Sequence, residues 1–394
     1  MSEGLDQGLA GAEAGASALG SAAPRVCLVT LEYPPDIGGA GHACARLVRF
    51  LVGEGFRVHV FAPAFAGART VTATTQADGT TVHRVPLGRD PNPALSPALC
   101  QAIAETDGRV GFDVFHGFFL QMAYPCLAVA QPRGRPVIAS MRGIDAVWLR
   151  ERMSPPDLEV LRKAAWITSV STDSLLSADA LVDVSSRSSF LPNSVDASGC
   201  PAWTPAPENA GVVGTVCTFR AKKDIPALIQ AYARTSAALR RRLLLVGDYK
   251  GPSGMQVRRL VDAVLDRYRL HDEVMMTGHV DHARVVDYLL SMRVFAVPSR
   301  HEGLPNAVLE AAAVGVPIVA TRVDGLKDVL TDHDSALLVQ PGDVLSLTSA
   351  LTRVLADEGL ARSLSAGARR VAARLTPDVE KEAWLDLYRR LVPC

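Results

Sequence analysis

The chain has 394 residues, enough for two domains that each bury a core of their own. Apolar residues make up 48% of it and charged residues 21%, a soluble globular balance that argues against a membrane protein. Its 41 basic and 41 acidic side chains cancel, which argues against broad electrostatic binding of nucleic acid but leaves room for a local phosphate site. Seven cysteines form an odd, scattered set with no CxxC pair, as expected of unpaired thiols in a reducing cytoplasm. No apolar run reaches the roughly 18–20 residues that span a bilayer. The opening stretch, residues 1–24, is small, flexible and mildly acidic and lacks the basic start and apolar core of a signal peptide, so a disordered tail and a cytoplasmic location are expected.

Order begins at Arg25, with an apolar run to Leu31 that ends in Glu32-Tyr-Pro-Pro-Asp-Ile-Gly-Gly-Ala-Gly41. A helical pattern follows from His42, with Leu47, Phe50 and Leu51 on one face, so the chain opens as strand, glycine-rich turn and helix. Strands are expected at Val58–Phe61, Val82–Val85, Val114–Phe115, Val137–Ala139 and Trp166–Val170, with helices between most of them. Such alternation predicts a parallel sheet covered on both faces. His116 and the string Ser140-Met-Arg-Gly-Ile-Asp145 fall at carboxyl ends of these strands. Pro201, Pro205 and Pro207, flanked by Gly199 and Gly211, cannot continue a helix or a central strand and mark a linker over 197–211 between a first domain, 25–196, and a second, 212–376. Beyond it, strands are expected at Val212–Cys217, Leu243–Val246, Val274–Thr277, Val294–Val297 and Ile318–Ala320, and an amphipathic tail helix over 377–394. The fold class is α/β: two Rossmann-like parallel-sheet domains facing a cleft lined by the carboxyl ends of both sheets.

The richest segment is Val297-Pro-Ser-Arg-His-Glu-Gly-Leu-Pro-Asn-Ala-Val-Leu-Glu310. A buried strand ends at Pro298, a polar loop carries Glu302 and Gly303, and a helix is expected near Pro305, whose missing amide hydrogen suits a first helical turn. The backbone amides of Gly303, Leu304 and Asn306 then face out at a positive helix end, suited to a pyrophosphate. Asn306 and Glu310 are four apart and share a face, from which Glu310 can accept hydrogen bonds from two ribose hydroxyls. A second cluster, Phe219-Arg220-Ala-Lys-Lys223-Asp224, follows the second domain's first strand; Arg220 and Lys223 there can stabilise charge developing on a departing phosphate.

Two glutamates with seven residues between them, in the setting P-S-x-x-E-G-x-P-N-x-x-L-E-A, resemble the signature of retaining GT-B glycosyltransferases, most closely glycosyltransferase family 4. Tyr33-Pro-Pro-x-x-Gly-Gly39 resembles that family's first glycine loop and Leu191-Pro-Asn-Ser-Val-Asp196 its P-N-G-V-D segment, while Arg142-Gly-x-Asp145 resembles an R-G-x-D subgroup. The resemblance implies a nucleotide-sugar substrate (a UDP- or GDP-sugar), no required cofactor or metal, catalysis by Arg220, Lys223 and Glu302, and a tail helix packing back on the first domain. It places the donor on Gly38, Gly39, Gly303, Leu304, Pro305, Asn306 and Glu310. His116, Arg142 and Asp145 are the acceptor candidates, for a small-molecule or glycan acceptor expected to be soluble. Arginine cannot serve as a general base, so Arg142 would bind rather than deprotonate. Departures from the pattern fall at Asp324-Gly-Leu-Lys-Asp328, where relatives read G-G-x-x-E, and at His333–Gln340. Other readings are a sugar-nucleotide epimerase of the same architecture and a non-catalytic nucleotide-sugar-binding protein. Asp332-His-Asp334 follows a helix-like stretch rather than a strand, against a metal site, and His279 and His282 read as loop histidines.

Overall fold

A computed structural model describes residues 23–35, 38–65, 67–87, 95–143 and 153–392. All but the last two residues of the expected leading tail, together with Asp145, lie outside the described residues. The first half forms β1 (Arg25–Val29), β2 (Arg57–Pro63), β3 (Thr72–Thr75), β4 (Thr81–Val85), β5 (Val114–Gly117), β6 (Val137–Met141), β7 (Trp166–Ser169) and β8 (Ser188–Phe190), in the sheet order β3-β4-β2-β1-β5-β6-β7-β8. Every neighbouring pair is parallel except β3 with β4. The second half forms β9 (Val212–Val216), β10 (Arg242–Val246), β11 (Val274–Met276), β12 (Val294–Val297), β13 (Ile318–Thr321) and β14 (Leu337–Val339), all parallel in the order β11-β10-β9-β12-β13-β14. Central strands such as Val294-Phe-Ala-Val297 are buried at every position, the pattern of a sheet with helices on both faces.

The order places a topological switch point in each sheet. β1 lies between β2 and β5, and β9 between β10 and β12, so consecutive connections leave in opposite directions and open a crevice at the strands' carboxyl ends. In the first half the helix Gly39–Gly53 buries Cys44, Leu47, Val48 and Leu51 against the sheet, while Phe50 stays at its margin. In the second, the helix Ile225–Arg234 buries Leu228, Ile229 and Tyr232 in the same way.

Two cores result. One gathers Val26–Val29, Phe61, Phe115 and Ile138 with Trp384, Leu385 and Tyr388 from the last helix, Pro377–Leu391. The other gathers Val213, Leu245, Phe295 and Val319, and reaches into the first half to take Val170. The proline-rich stretch read as a linker is fastened to the second core rather than free: Trp203 is 5% exposed, its amide donates to Val314 O at 2.8 Å and its indole nitrogen to Met292 O at 2.7 Å. A large aromatic whose ring finds a buried slot and whose indole nitrogen finds a carbonyl acceptor fixes the stretch in place. The chain crossings are braced elsewhere. Val195 N donates to Leu375 O at 2.9 Å, and Glu380 accepts both the Ser194 amide and Arg46 Nε, the latter at 2.6 Å.

Truncating Trp203 removes its packing and leaves Met292 O without its donor, so Trp203→Ala should lower stability by about 3–5 kcal/mol. Urea unfolding followed by circular dichroism measures this, and an unshifted midpoint would mean that Trp203 anchors nothing.

Candidate active site

The loops that leave β9 and β12 straddle the second switch point and carry both chemical clusters. After β9, Phe219 is fully buried and pins a short turn, Ala221–Lys223, at the sheet's carboxyl edge. After β12, the loop Pro298–Pro305 brings in Glu302, which is only 3% exposed. Lys223 forms an ion pair with Glu302 Oε1, Lys222 Nζ stands 3.7 Å from Oε2, and Ser299 Oγ donates to Oε1 at 2.7 Å. Burial opposes charge on every member. Glu302 nonetheless has its pKa held below the usual carboxylate value, because the two lysines outweigh its desolvation. Lys223 is likewise raised, since Glu302 offsets its burial, whereas Lys222 is lowered, its burial outweighing the more distant attraction of Glu302. Arg220 is exposed at the start of the turn and has no ion-pair partner among the described residues. Lys222 was passed over in the sequence; the K-K doublet was the available signal.

The helix after the loop runs Asn306–Val314, with Pro305 just before it as N-cap rather than within its first turn. The first turn holds no acidic side chain, and the amides of Gly303 and Leu304 find no acceptor among the described residues. Glu302 N is taken by Asp324 Oδ2 at 3.3 Å; Asp324 sits at φ 26°, where relatives are expected to carry glycine. On the helix, Asn306 donates to Gly39 O at 3.2 Å, so it faces the first half. Glu310, one turn on, accepts from His282 Nε2 at 2.9 Å, and the His282 ring lies 5.0 Å from that of His42. The sequence left His282 as a loop histidine; nothing in its spacing ties it to Glu310.

The first half meets these loops at close range. Gly38 N donates to Glu32 Oε2 at 3.1 Å, and a Cβ on Gly38 would lie 2.8 Å from that oxygen, so a larger residue there would displace the Glu32 carboxylate. Arg142 is buried, its guanidinium 4.2 Å from the Phe118 ring centre, and donates to Asn193 Oδ1 at 2.8 Å. Asn193 passes the connection on, donating to Leu304 O at 2.9 Å and Asn306 Oδ1 at 3.3 Å. A Cβ on Gly303 would come within 2.9 Å of Gly143 N, and one on Gly325 within 2.6 Å of Val170 O, so the halves touch backbone to backbone. Asp328, where relatives would carry glutamate, accepts from Thr172 N at 2.7 Å and Thr172 Oγ1 at 2.6 Å across the same seam.

His116 is not brought into this cleft. It is 0% exposed, and its ring nitrogens share hydrogen bonds with Tyr388 OH at 2.8 Å and Ser140 Oγ at 2.7 Å. The last helix, which covers the end of β5, seals it. Asp332 and Asp334 point to separate arginines, Arg322 at 2.6 Å and Arg370 at 2.5 Å.

Residues 37–198 match the family described as Glycosyltransferase Family 4, and residues 210–357 match Glycosyl transferases group 1. A D-inositol 3-phosphate glycosyltransferase of Xylanimonas cellulosilytica is 34% identical over 148 residues, a match spanning 37% of this chain and only 35% of that one. A glycogen synthase of Mycobacterium tuberculosis is 25% identical over 90% of this chain and 91% of its own length. Among solved structures, sucrose-phosphate synthase from Thermosynechococcus elongatus superposes with a TM-score of 0.82 at 21% identity, covering 93% of this chain and 99% of that one. HepE from Anabaena, in complex with UDP and glucose, superposes at 0.76 with 16% identity, covering 93% and 100%. The last two likenesses establish the shared fold.

Burial, with a smaller push from Arg142, lowers the pKa of His116 to about 3. Below about pH 6.5 the unfolded chain gains a proton there that the folded chain refuses, so stability falls as the solution is acidified. Replacing His116 with Gln should flatten the stability slope between about pH 6 and about pH 4 by one proton, or about 1.4 kcal/mol per pH unit. An unaltered slope in pH-resolved urea titrations would contradict the buried neutral ring.

Proposed function

Since the chain belongs to the GT-B glycosyltransferases, with family 4 matching its first half and group 1 its second, we propose that it transfers a sugar, with retention of anomeric configuration, from a nucleoside-diphosphate sugar to a soluble hydroxyl acceptor. The observation that carries this reading is the convergence of Lys223, Lys222 and Glu302 beside the unspent amides of Gly303 and Leu304. The structural neighbour HepE, solved with UDP and glucose, supports a uridine or similar nucleotide donor.

In this reading Glu310 accepts the ribose hydroxyls, and the helix start with the Gly303 and Leu304 amides receives the distal phosphate. With the cleft empty, Glu302 balances the charge on Lys223. An arriving diphosphate supplies a second anion, which Lys223, Lys222 and exposed Arg220 can share while Glu302 keeps one oxygen for hydroxyls of the sugar. Positive charge fixed in advance stabilises the departing diphosphate most as the bond to the anomeric carbon lengthens. The acceptor oxygen attacks from the same face. As its bond to that carbon forms and the carbon–phosphate-oxygen bond breaks, its proton passes to the departing phosphate oxygen, so no protein base is called on and positioning carries the step. Gly38 and Gly39 are the first half's contribution to the donor, and Arg142 and Asp145 remain the proposed acceptor side. His116 is withdrawn from it, because its ring is sealed in the core.

Two substitutions separate the roles. Glu310→Ala should weaken UDP, GDP or ADP, whichever binds, by about tenfold or more, as loss of hydrogen bonds to a charged acceptor implies. Lys223→Ala should leave donor affinity within a few fold and lower kcat by about 10²–10³, the scale of a lost charge-stabilising group. Calorimetry and turnover of a nucleotide-sugar panel supply both readouts, and NMR of the product reports the anomer. Wild-type kinetics in both variants would place the site elsewhere.

A further inference from the structure

His282 opens the turn His282–Arg284 that leads into the helix Val285–Leu290. Its side chain is 61% exposed, so core packing does not fix the ring; the 2.9 Å contact with Glu310 Oε1 does. Two other elements bring titratable or charged groups to it. The helix Asn306–Val314 contributes Glu310, and the helix Gly39–Gly53 contributes His42, with Arg46 and Arg49 acting on His42 from the same helix. The hydrogen bond to Glu310 raises the pKa of His282, while burial, and then the neighbouring His282, lower that of His42. One member of the ring pair is thus the natural cation, and it sits on the carboxylate.

We propose that His282 is a positioning residue of the nucleotide site: it donates Nε2–H to one oxygen of Glu310 and so aims the carboxylate at the paired hydroxyls of a ribose. The inference rests on the reading of Glu310 given above. A glutamate carboxylate turns about its last torsion, and two vicinal hydroxyls are met well only over a narrow range of that angle. A donor held from a separate loop restricts the rotor before the ligand arrives. His42, from the other half, stands beyond His282 and places the pair where the two halves approach.

The test is titration calorimetry on the full chain with UDP, GDP, ADP and inorganic pyrophosphate as probes. H282A, exposed enough to fold, should weaken the nucleotide that binds by about three- to tenfold, the net worth of an ordinary hydrogen bond partly open to solvent. It should leave pyrophosphate unaffected and cause no further loss in an E310A background. H282Q, whose amide can donate, should recover most of the affinity. The advantage of wild type over H282A should shrink between about pH 6 and about pH 8 as the imidazolium loses its proton. An additive loss in the E310A background, or an equal loss for pyrophosphate, overturns the proposal. If E310A weakens the nucleotide and H282A does not, His282 alone is misassigned; if E310A has no effect, the reading of Glu310 itself falls.

Discussion

The buried ion pair between Lys223 and Glu302 is the interaction on which the site depends. Two charges withdrawn from water carry a desolvation penalty of several kcal/mol each, and attraction alone offsets it only when other donors complete the geometry. Here they do: Ser299 donates to the same carboxylate, Lys222 stands near its second oxygen, and Asp324 holds the adjacent backbone amide. Each partner comes from a loop at the carboxyl edge of one sheet, so the pair exists only because β9, β12 and β13 are neighbours. Left without one another, these groups would each be unmatched buried charges, which is a reason for the loops to keep a single conformation.

The second constraint is how closely the halves approach. Gly303 and Gly325 lie where a single added carbon would strike backbone of the first half, at Gly143 and Val170. Around that contact, Arg142, Asn193 and Asn306 form a chain of side-chain hydrogen bonds from one half to the other, and Asp328 reaches across to Thr172. These are polar ties over a narrow seam, unlike the apolar cores on either side, and polar interfaces of this kind are the ones along which domains move. The covalent crossings near Val195 and Leu375 are tied together, and Glu380 links them to the helix that carries His42. Opening the cleft would therefore act on the Glu310–His282 pair as well as on the loops that carry Glu302 and Lys223.

Much of this was legible in the sequence. Each expected strand appears within a residue or two, because a fully buried parallel strand needs an uninterrupted apolar run and such runs are visible without knowledge of neighbours. The spacing of Glu302 and Glu310 was readable for a similar reason: one loop and one helix turn fix their relation locally. β3, β8 and β14 were not foreseen. Thr72–Thr75 is exposed throughout and Ser188–Phe190 is half-buried and serine-rich, so each owes its strand form to the edge it pairs with.

By itself the amino-acid order determined the two-fold repeat of strand and helix, the family resemblance and the loops that carry charge, since all of these rest on contacts between residues close along the chain. Tertiary structure decided the rest. His116 ends a strand just as a ligand-facing residue would, yet the last helix, about 270 residues later, covers it and supplies its hydrogen-bond partner, a separation no local pattern reports. Trp203 and His282 are of the same kind. Each is unremarkable in its own segment and acquires its role from a surface brought against it by folding, because burial and hydrogen bonding depend on which distant groups meet.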